Sequence, residues 1–198
     1  MRTLFHIPLS DVVYYHIGGV ARLLIEISNK EELLDALRQS VKDKTQPIRI
    51  VGLGANVLIP DSGLDGVTLL LQPGNADFEI TDDAHISAFA GATMDSLIKY
   101  AFSQNLSGFG WAGGLPSSVG GAVRGNAGCF GSEIKDYLVS VDVVDITDPE
   151  LRVQTFSQKD CQFGYRDSIF KQNKYLIIIS AVFQLENASF EQLAKDEA

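Results

Sequence analysis

Gly113-Gly114-Leu115-Pro116-Ser117-Ser118-Val119-Gly120-Gly121-Ala122, followed closely by Asn126-Ala127-Gly128, is the most informative stretch of the chain. Small side chains predominate in this glycine-rich segment (residues 113–128), and Pro116 fixes the direction in which the backbone enters its turn. Ser117 or Ser118 can begin a short helical turn whose N–H groups face outward. The segment therefore suits a diphosphate that lies over backbone amides. The alternative is a glycine-rich crossover between two strands.

A second glycine loop, Gly52-Leu53-Gly54-Ala55-Asn56-Val57-Leu58, directly follows a short apolar strand at 48–51. Its small residues let the backbone turn sharply and approach a ligand closely. Successive N–H groups in such a turn can form a concave anion site. The loop is not a dinucleotide fingerprint, because it lacks the glycine spacing of that motif. It is not a phosphate-binding P-loop either, because the Lys and Ser/Thr of that motif are missing. An ordinary tight connection explains it equally well.

The third element is Phe163-Gly164-Tyr165-Arg166-Asp167-Ser168. Arg166 could form a surface ion pair with Asp167, which would contribute little to stability. It could instead present a fixed guanidinium to a substrate oxyanion. The residues by themselves favour the ion pair.

Hydrophobic patterning predicts an α+β fold in two successive layers. We expect strands at 22–27, 48–51, 67–71, 86–90, 138–146 and 176–185, and helices at 32–41 and 93–104. Ser28 and Glu31 form a predicted capping box for the first helix. Gln72-Pro73-Gly74-Asn75 is a predicted boundary. It divides a small α/β subdomain (1–72) from a larger α+β subdomain (73–188). Residues 189–198 would begin a linker or a further domain, and a helix start is predicted at 189–196.

Composition excludes several classes of function. The net charge of −9 over 198 residues argues against nucleic-acid binding, which needs a basic surface. No apolar run is long enough to span a bilayer, and the N-terminus resembles no signal peptide, so we expect a cytoplasmic protein without membrane contact. Cys129 and Cys161 lack the spacing of a metal site, and His6, His16 and His85 do not cluster, so we expect no bound metal.

Together the three elements resemble the MurB family, the UDP-N-acetylenolpyruvoylglucosamine reductases or UDP-N-acetylmuramate dehydrogenases. The resemblance runs from about residue 17 to residue 185 and rests on the order and spacing of Gly52-x-Gly54-x-Asn56-Val57-Leu58, the glycine-rich segment, and Tyr165-Arg166-x-Ser168. It implies the PCMH-type FAD-binding fold, in which two α/β subdomains hold FAD between them. It also implies a role in peptidoglycan precursor synthesis, and hence in cell wall biogenesis, cell shape and division.

The resemblance assigns roles to specific residues. Arg166 matches the family's catalytic arginine, and Tyr165 and Ser168 would contact the UDP-sugar substrate. The residues that would hold the FAD diphosphate are Gly52, Leu53, Gly54, Ala55, Asn56, Val57, Leu58, Gly113, Gly114, Pro116, Ser117, Ser118, Gly120, Gly121, Ala122, Asn126, Ala127 and Gly128. In the family reaction NADPH supplies electrons through FAD, and a hydride adds to C3 of an enolpyruvyl ether. Arginine stabilises the charge that develops on the carboxylate, and an acid protonates C2.

The chain departs from the family pattern at three places. Val13-Tyr14 stands where the family often has Asn-Thr, and Ala55 replaces a serine, so those polar contacts are not expected. The family carries its serine proton donor, a glutamate and much of its UDP-sugar site in a third, C-terminal domain, which would begin where this sequence ends at Ala198. We therefore expect the substrate domain to be absent, or to be supplied by a separate chain.

Two further readings remain open. The chain could be an FAD-binding module without reductase activity. It could also be another PCMH-type flavin oxidase, since some of these attach flavin covalently through His or Cys, and Cys129 lies beside the glycine-rich segment.

Overall fold

The structure is a computed structural model, which describes residues 1–43, 45–75, 77–82 and 84–189. Two main sheets occur in succession along the chain. The strands of the first sheet lie within residues 2–71, and those of the second lie within residues 78–184. The stretch that the sequence marks as a boundary, 72–75, falls between the two sheets.

The first sheet has the spatial order β1-β2-β4-β3. Its strands are β1 (Arg2–Pro8), β2 (Val20–Ile27), β3 (Ile48–Val51) and β4 (Leu64–Leu71). Strands β2 and β3 both pair with β4 in parallel, while β1 pairs with β2 antiparallel. The chain leaves β3 at the carboxyl edge of these parallel strands, and the second glycine loop begins there.

Helix α1 (Lys30–Ser40) connects β2 to β3. The predicted cap is wrong by one residue, because Asn29 rather than Ser28 is the N-cap and accepts a hydrogen bond from the Glu32 backbone N–H. The Glu32 carboxylate in turn accepts from the backbone N–H of Ser28 at 2.8 Å. The reciprocal box therefore exists with Asn29 and Glu32 as its partners, and Asn caps at least as well as Ser.

The second sheet is antiparallel throughout, with the order β11-β10-β12-β6-β5. Its strands are β5 (Phe78–Asp82), β6 (His85–Phe89), β10 (Leu138–Asp145), β11 (Val153–Ser157) and β12 (Leu176–Gln184). Two-residue strands form the minor pairs: β7 (Leu106–Ser107) with β13 (Glu186–Asn187), and β8 (Gly128–Cys129) with β9 (Ser132–Glu133).

Three helices accompany the second sheet: α2 (Met94–Ser103), α3 (Val119–Gly125) and α4 (Ile169–Gln172). Helix α2 is capped by the Thr93 hydroxyl, the first residue of the helix predicted at 93–104. Helix α3 packs against β12 and β6 and lies inside the glycine-rich segment. That segment is therefore a turn that follows a 3-10 helix (Gly110–Ala112) and leads into a short α-helix.

One large core joins the two parts of the chain. Leu33 and Leu37 of α1, Leu69 of β4, and Phe89 and Phe183 of the second sheet belong to the same buried cluster. A smaller cluster on the opposite face of the first sheet includes Leu9, Val13, Leu24 and Leu70. This smaller core fixes the N-terminal segment beside the second glycine loop.

The observed elements confirm the predicted α+β class. All six predicted strands and both predicted helices occur, with ends that differ by up to a few residues. The predicted helix start at 189–196 and the 189–198 linker lie outside the described residues, apart from Ser189. Among the described residues, no helix is long and apolar enough to cross a membrane.

Candidate functional site

The two glycine loops, which are distant in sequence, lie directly against each other in space. A Cβ built on Gly52 would collide with the Ser118 hydroxyl oxygen, and Ser118 itself is only 5% exposed. Only glycine at position 52 lets the loop after β3 reach the start of α3. The structure therefore brings together the two loops that the sequence predicted to hold one ligand.

The second glycine loop presents backbone donors. Gly54 adopts a left-handed conformation with φ +70°. Within the described part of the chain, the backbone N–H groups of Gly54, Ala55 and Asn56 have no hydrogen-bond acceptor. Successive N–H groups without internal partners are the donor arrangement that binds phosphate oxygens. Asn56, Val57 and Leu58 are exposed, with Leu58 at 83%.

The glycine-rich segment divides into an open part and an engaged part. Gly113, Gly114, Pro116 and Gly121 are exposed, and Ser118 caps α3 by accepting from the Gly121 N–H at 3.2 Å. The backbone N–H groups of Gly113, Leu115, Ser117, Gly120, Ala122 and Ala127 donate to carbonyls of the chain. Within the described ranges, the N–H groups of Gly114 and Ser118 are the ones between residues 113 and 118 that have no acceptor. Exposed surface for ligand contact is offered by Gly113, Gly114, Pro116 and Gly121.

Asn126 and Gly128 continue the engaged part. Asn126 ends α3 in a left-handed conformation (φ 42°), and its side chain is only 1% exposed. Gly128 pairs with Glu133 in the β8–β9 hairpin. The sequence predicts that both contact the cofactor, and that contact stays a prediction; within the chain they make the contacts given above.

Arg166 lies at the far end of α3 from the loop contact. It adopts a left-handed conformation (φ 54°), and its guanidinium Nη2 donates to the Gly128 carbonyl at 2.9 Å. The sequence favoured an ion pair with Asp167. The structure shows no ion pair for Arg166 within the described ranges, and the Asp167 carboxylate accepts from Gln172 instead.

A shallow cavity of about 340 Å³ adjoins this arginine. Its lining includes Cys129, Glu133, Lys135 and Tyr165. The Lys135 ammonium lies 2.6 Å from a Glu133 carboxylate oxygen. Its hydrogen bond is the main cause of the lowered pKa of Glu133, with the hydrogen bond from Asn126 second and the positive charge of Arg166 contributing further. Glu133 is therefore an ionised partner in this cluster at neutral pH.

The two other predicted substrate contacts differ in exposure. Tyr165 is 87% exposed and lines the cavity. Ser168 is fully buried, and its hydroxyl donates to the Arg124 carbonyl at 2.7 Å. This geometry supports a structural role for Ser168, which fastens the Arg166 turn to α3, rather than direct contact with a substrate.

The comparisons with known proteins agree with this arrangement. A family model described as "FAD binding domain" matches residues 21–153. The chain belongs to the FAD binding domain family. The match spans both glycine loops and includes strands of both sheets, so it confirms FAD as the cofactor that the sequence predicted.

Relatives of this FAD binding domain protein point to one group of enzymes. The chain is 34% identical over 180 residues to the UDP-N-acetylenolpyruvoylglucosamine reductase of Synechococcus sp. (strain WH7803). It is 34% identical over 186 residues to the reductase of the same name from Clostridioides difficile (strain 630). These alignments cover 91% and 94% of the chain but 57% and 59% of the relatives, so the chain spans less than two thirds of their length.

A solved structure gives the same result for the fold. The crystal structure of UDP-N-acetylenolpyruvylglucosamine reductase (MurB) from Thermus caldophilus superposes with a TM-score of 0.77 at 26% identity. The superposition covers 99% of this chain and 66% of that one. The resemblance to the MurB family and the expected FAD-binding fold are therefore confirmed.

The donor chemistry of the site fits the diphosphate of FAD. The free amides at Gly54–Asn56 lie in the loop that contacts the start of α3, and uncharged backbone donors of this kind can bind phosphates even in an acidic protein. The residues that would hold the diphosphate are those of the two loops around the Gly52–Ser118 contact. Within the described ranges no cluster of metal-ligating side chains is found.

Sequence reasoning missed two groups of residues at this site. Val13 is 3% exposed and packs on Gly54, and the Tyr14 N–H donates to the Leu53 carbonyl at 2.8 Å. The N-terminal segment thus supports the second glycine loop, although it lacks the family's usual polar pair. Glu133 and Lys135 were also missed, because single charged residues after a turn carry no recognisable pattern.

Proposed function

We propose that this chain binds FAD across its two glycine loops and is the flavin-binding part of an NADPH-dependent reductase. The substrate would be UDP-N-acetylglucosamine enolpyruvate and the product UDP-N-acetylmuramate, a peptidoglycan precursor. The observation that carries the proposal is the contact between Gly52 and Ser118, which brings the loop that holds the free amides of Gly54, Ala55 and Asn56 against the start of α3. The names of the relatives support the choice of reaction.

Arg166 is the residue that we propose to bind the carboxylate of the substrate. FAD, when bound, would supply the hydride that reduces the enolpyruvyl double bond. Negative charge then develops toward the substrate carboxylate, and a guanidinium binds a carboxylate with two parallel hydrogen bonds. Arg166 is exposed, held by the Gly128 carbonyl, and next to an open cavity, so it can serve this role.

We expect the chain to bind FAD at least about tenfold more tightly than FMN. FMN has one phosphate and no adenosine, and each lost charge-assisted hydrogen bond costs about 1.5–3 kcal/mol. Isothermal titration calorimetry of the two flavins against the apoprotein measures the difference. Equal affinities would contradict a diphosphate site.

The same preparation separates the proposal from the oxidase alternative. Acid precipitation should release free flavin, since Cys129, half-buried with its thiol directed to the Trp111 carbonyl, is not expected to hold the cofactor covalently. A precipitate that stays yellow would favour the covalent flavin oxidase.

Gly121→Ala should weaken FAD binding by about tenfold without destabilising the fold. Gly121 is exposed in the first turn of α3, and an added Cβ would lie 3.1 Å and 3.3 Å from two serine hydroxyls, which can shift. Alanine also favours a helix over glycine by about 0.5–1 kcal/mol. Calorimetry and urea unfolding measure the two effects separately.

Gly125→Ala is the matched control for this substitution. Gly125 is the last residue of the same helix, and a Cβ there would meet no atom within 4 Å. FAD affinity should stay unchanged. If both variants bind FAD as tightly as the unsubstituted chain, the cofactor does not approach the start of α3.

A further inference from the structure

Asn126 connects three separate segments through its buried side chain. Its Nδ2 donates to a Glu133 carboxylate oxygen at 2.9 Å and to the Gly164 carbonyl at 3.0 Å. Its Oδ1 accepts from the Lys135 backbone N–H at 3.1 Å. Both Nδ2 hydrogens and the carbonyl oxygen thus have partners within the chain, so none of this side chain's donors is left for a ligand.

Of these three hydrogen bonds, the one to the Gly164 carbonyl connects Asn126 to the turn that contains Arg166. Gly164 and Asp167 donate their backbone N–H groups to each other's carbonyls, at 3.0 Å and 3.2 Å, and so close a tight turn with Arg166 inside it. The left-handed conformation of Arg166 costs about 1–2 kcal/mol for a non-glycine residue. A turn that holds such a residue must be stabilised by its surroundings.

Other side chains also contact this turn, among them Gln172, whose amide donates to the Asp167 carboxylate at 3.0 Å. The Lys171 ammonium donates to the Arg166 carbonyl at 2.7 Å from an exposed position, and the Ser168 hydroxyl binds Arg124 on α3. Asn126 alone among the described side chains joins the turn to both the end of α3 and the β8–β9 hairpin. That hairpin also carries Gly128, the carbonyl acceptor of the Arg166 guanidinium.

We infer that Asn126 is the positioning residue for Arg166: its buried amide fixes the Gly164–Asp167 turn against α3 and the β8–β9 hairpin. The importance of this position for catalysis rests on the proposed function of Arg166. Asn126 acts from inside the chain, and the residues that would hold the FAD diphosphate, around the Gly52–Ser118 contact, lie at the opposite end of α3. The requirement for asparagine follows from its tolerance of the left-handed conformation together with its two donors and one acceptor.

Asn126→Asp tests this inference, because it keeps the size, the conformational tolerance and the acceptor for Lys135 while it removes both donor bonds. Two signals should change in the apoprotein: amide hydrogen exchange at Gly164 and Asp167, and phenylglyoxal modification of Arg166 measured by mass spectrometry. Both should rise by about threefold to tenfold, which corresponds to the net loss of one hydrogen bond. FAD affinity should stay within about threefold.

Asn105→Asp is the matched control. Asn105 is also a left-handed asparagine that follows a helix, with φ 56°, but its side chain is exposed. This variant adds the same charge and should leave both signals at the Arg166 turn unchanged. The other arginines of the chain serve as internal references for the phenylglyoxal reaction.

Asn126→Gly provides a second variant that keeps the left-handed conformation without adding a charge. The turn should again exchange faster. Unchanged exchange and unchanged Arg166 reactivity in both variants would overturn the inference. Exchange that rises throughout the chain in both would also overturn it, since it would show a general structural role. A tenfold loss of FAD affinity with an unchanged turn would place Asn126 at the cofactor instead.

These signals require neither flavin nor substrate. Failure of the proposed function would appear separately, as a lack of FAD binding by the unsubstituted chain. The two outcomes are therefore distinguishable in one set of samples.

Discussion

Gly54→Ala should lower the free energy of unfolding by about 2–5 kcal/mol, which is a large part of the stability of a typical domain. Gly54 is buried with φ +70°, so alanine pays the cost of a left-handed conformation. A Cβ would also lie 2.5 Å from the Cβ of Val13, which is itself 3% exposed and cannot withdraw without disturbing the smaller core. Urea unfolding followed by circular dichroism measures the change.

Gly114→Ala separates the two causes. Gly114 has nearly the same backbone conformation, φ +73°, but a Cβ there would meet no atom within 4 Å. Its substitution should cost only the conformational part, about 1–2 kcal/mol. If the two variants lose the same stability, the contact between Val13 and the loop is not tight in solution.

Packing within the chain, as well as the proposed cofactor contact, requires glycine at position 54. The sequence suggested that Gly54 is needed because backbone must approach phosphate. The structure adds a requirement within the chain itself, since the N-terminal segment packs on the same residue. A loss of FAD binding in a Gly54 variant would therefore not identify a cofactor contact. Gly121 is the better position for that purpose, because its substitution leaves the fold intact.

Local patterns along the sequence predicted most of the strands and helices. Apolar runs located β3, β4, β10 and β12, and Thr93 marked the start of α2. The high density of small residues identified the two glycine loops. The family resemblance gives Arg166 a catalytic role, which stays a prediction, although the residues around it favoured an ion pair.

The sequence could not predict contacts between distant segments. The Gly52–Ser118 contact joins positions that no periodicity relates, and the three partners of Asn126 lie 7, 9 and 38 residues away along the chain. Ser168 is predicted to contact the substrate, and that contact stays a prediction; in the structure its hydroxyl is buried and donates to a backbone carbonyl. Such assignments require the side-chain direction, which sequence spacing alone does not give.

The largest effect that we expect concerns turnover by the 198-residue chain alone. With NADPH and the enolpyruvyl UDP-sugar, its rate should be about 10²–10⁴-fold lower than that of a full-length relative, the usual contribution of a positioned general acid or base. Reduction of the double bond leaves a carbanion-like centre that must be protonated. FAD binding should nevertheless persist, because both glycine loops belong to the chain.

Three side chains near Arg166 could donate a proton for this step. Ser168 is fully buried, and its hydroxyl donates a hydrogen bond to the Arg124 carbonyl. The Cys129 thiol donates to the Trp111 carbonyl at 3.0 Å. Tyr165 is 87% exposed and lines the cavity. We expect none of the three to act as an efficient acid in the chain alone, because two are committed to carbonyls and the third is largely in solvent.

Steady-state assays that follow NADPH oxidation and product formation separately would decide the question. We expect slow NADPH oxidation through oxygen or an artificial acceptor, with little UDP-sugar product. Addition of a separately expressed C-terminal domain from a relative should raise product formation if that domain supplies the acid. Full turnover by the chain alone would show that a donor lies within these residues, and Tyr165→Phe would then be the first variant to examine, because its hydroxyl is the one not committed to a carbonyl of the chain.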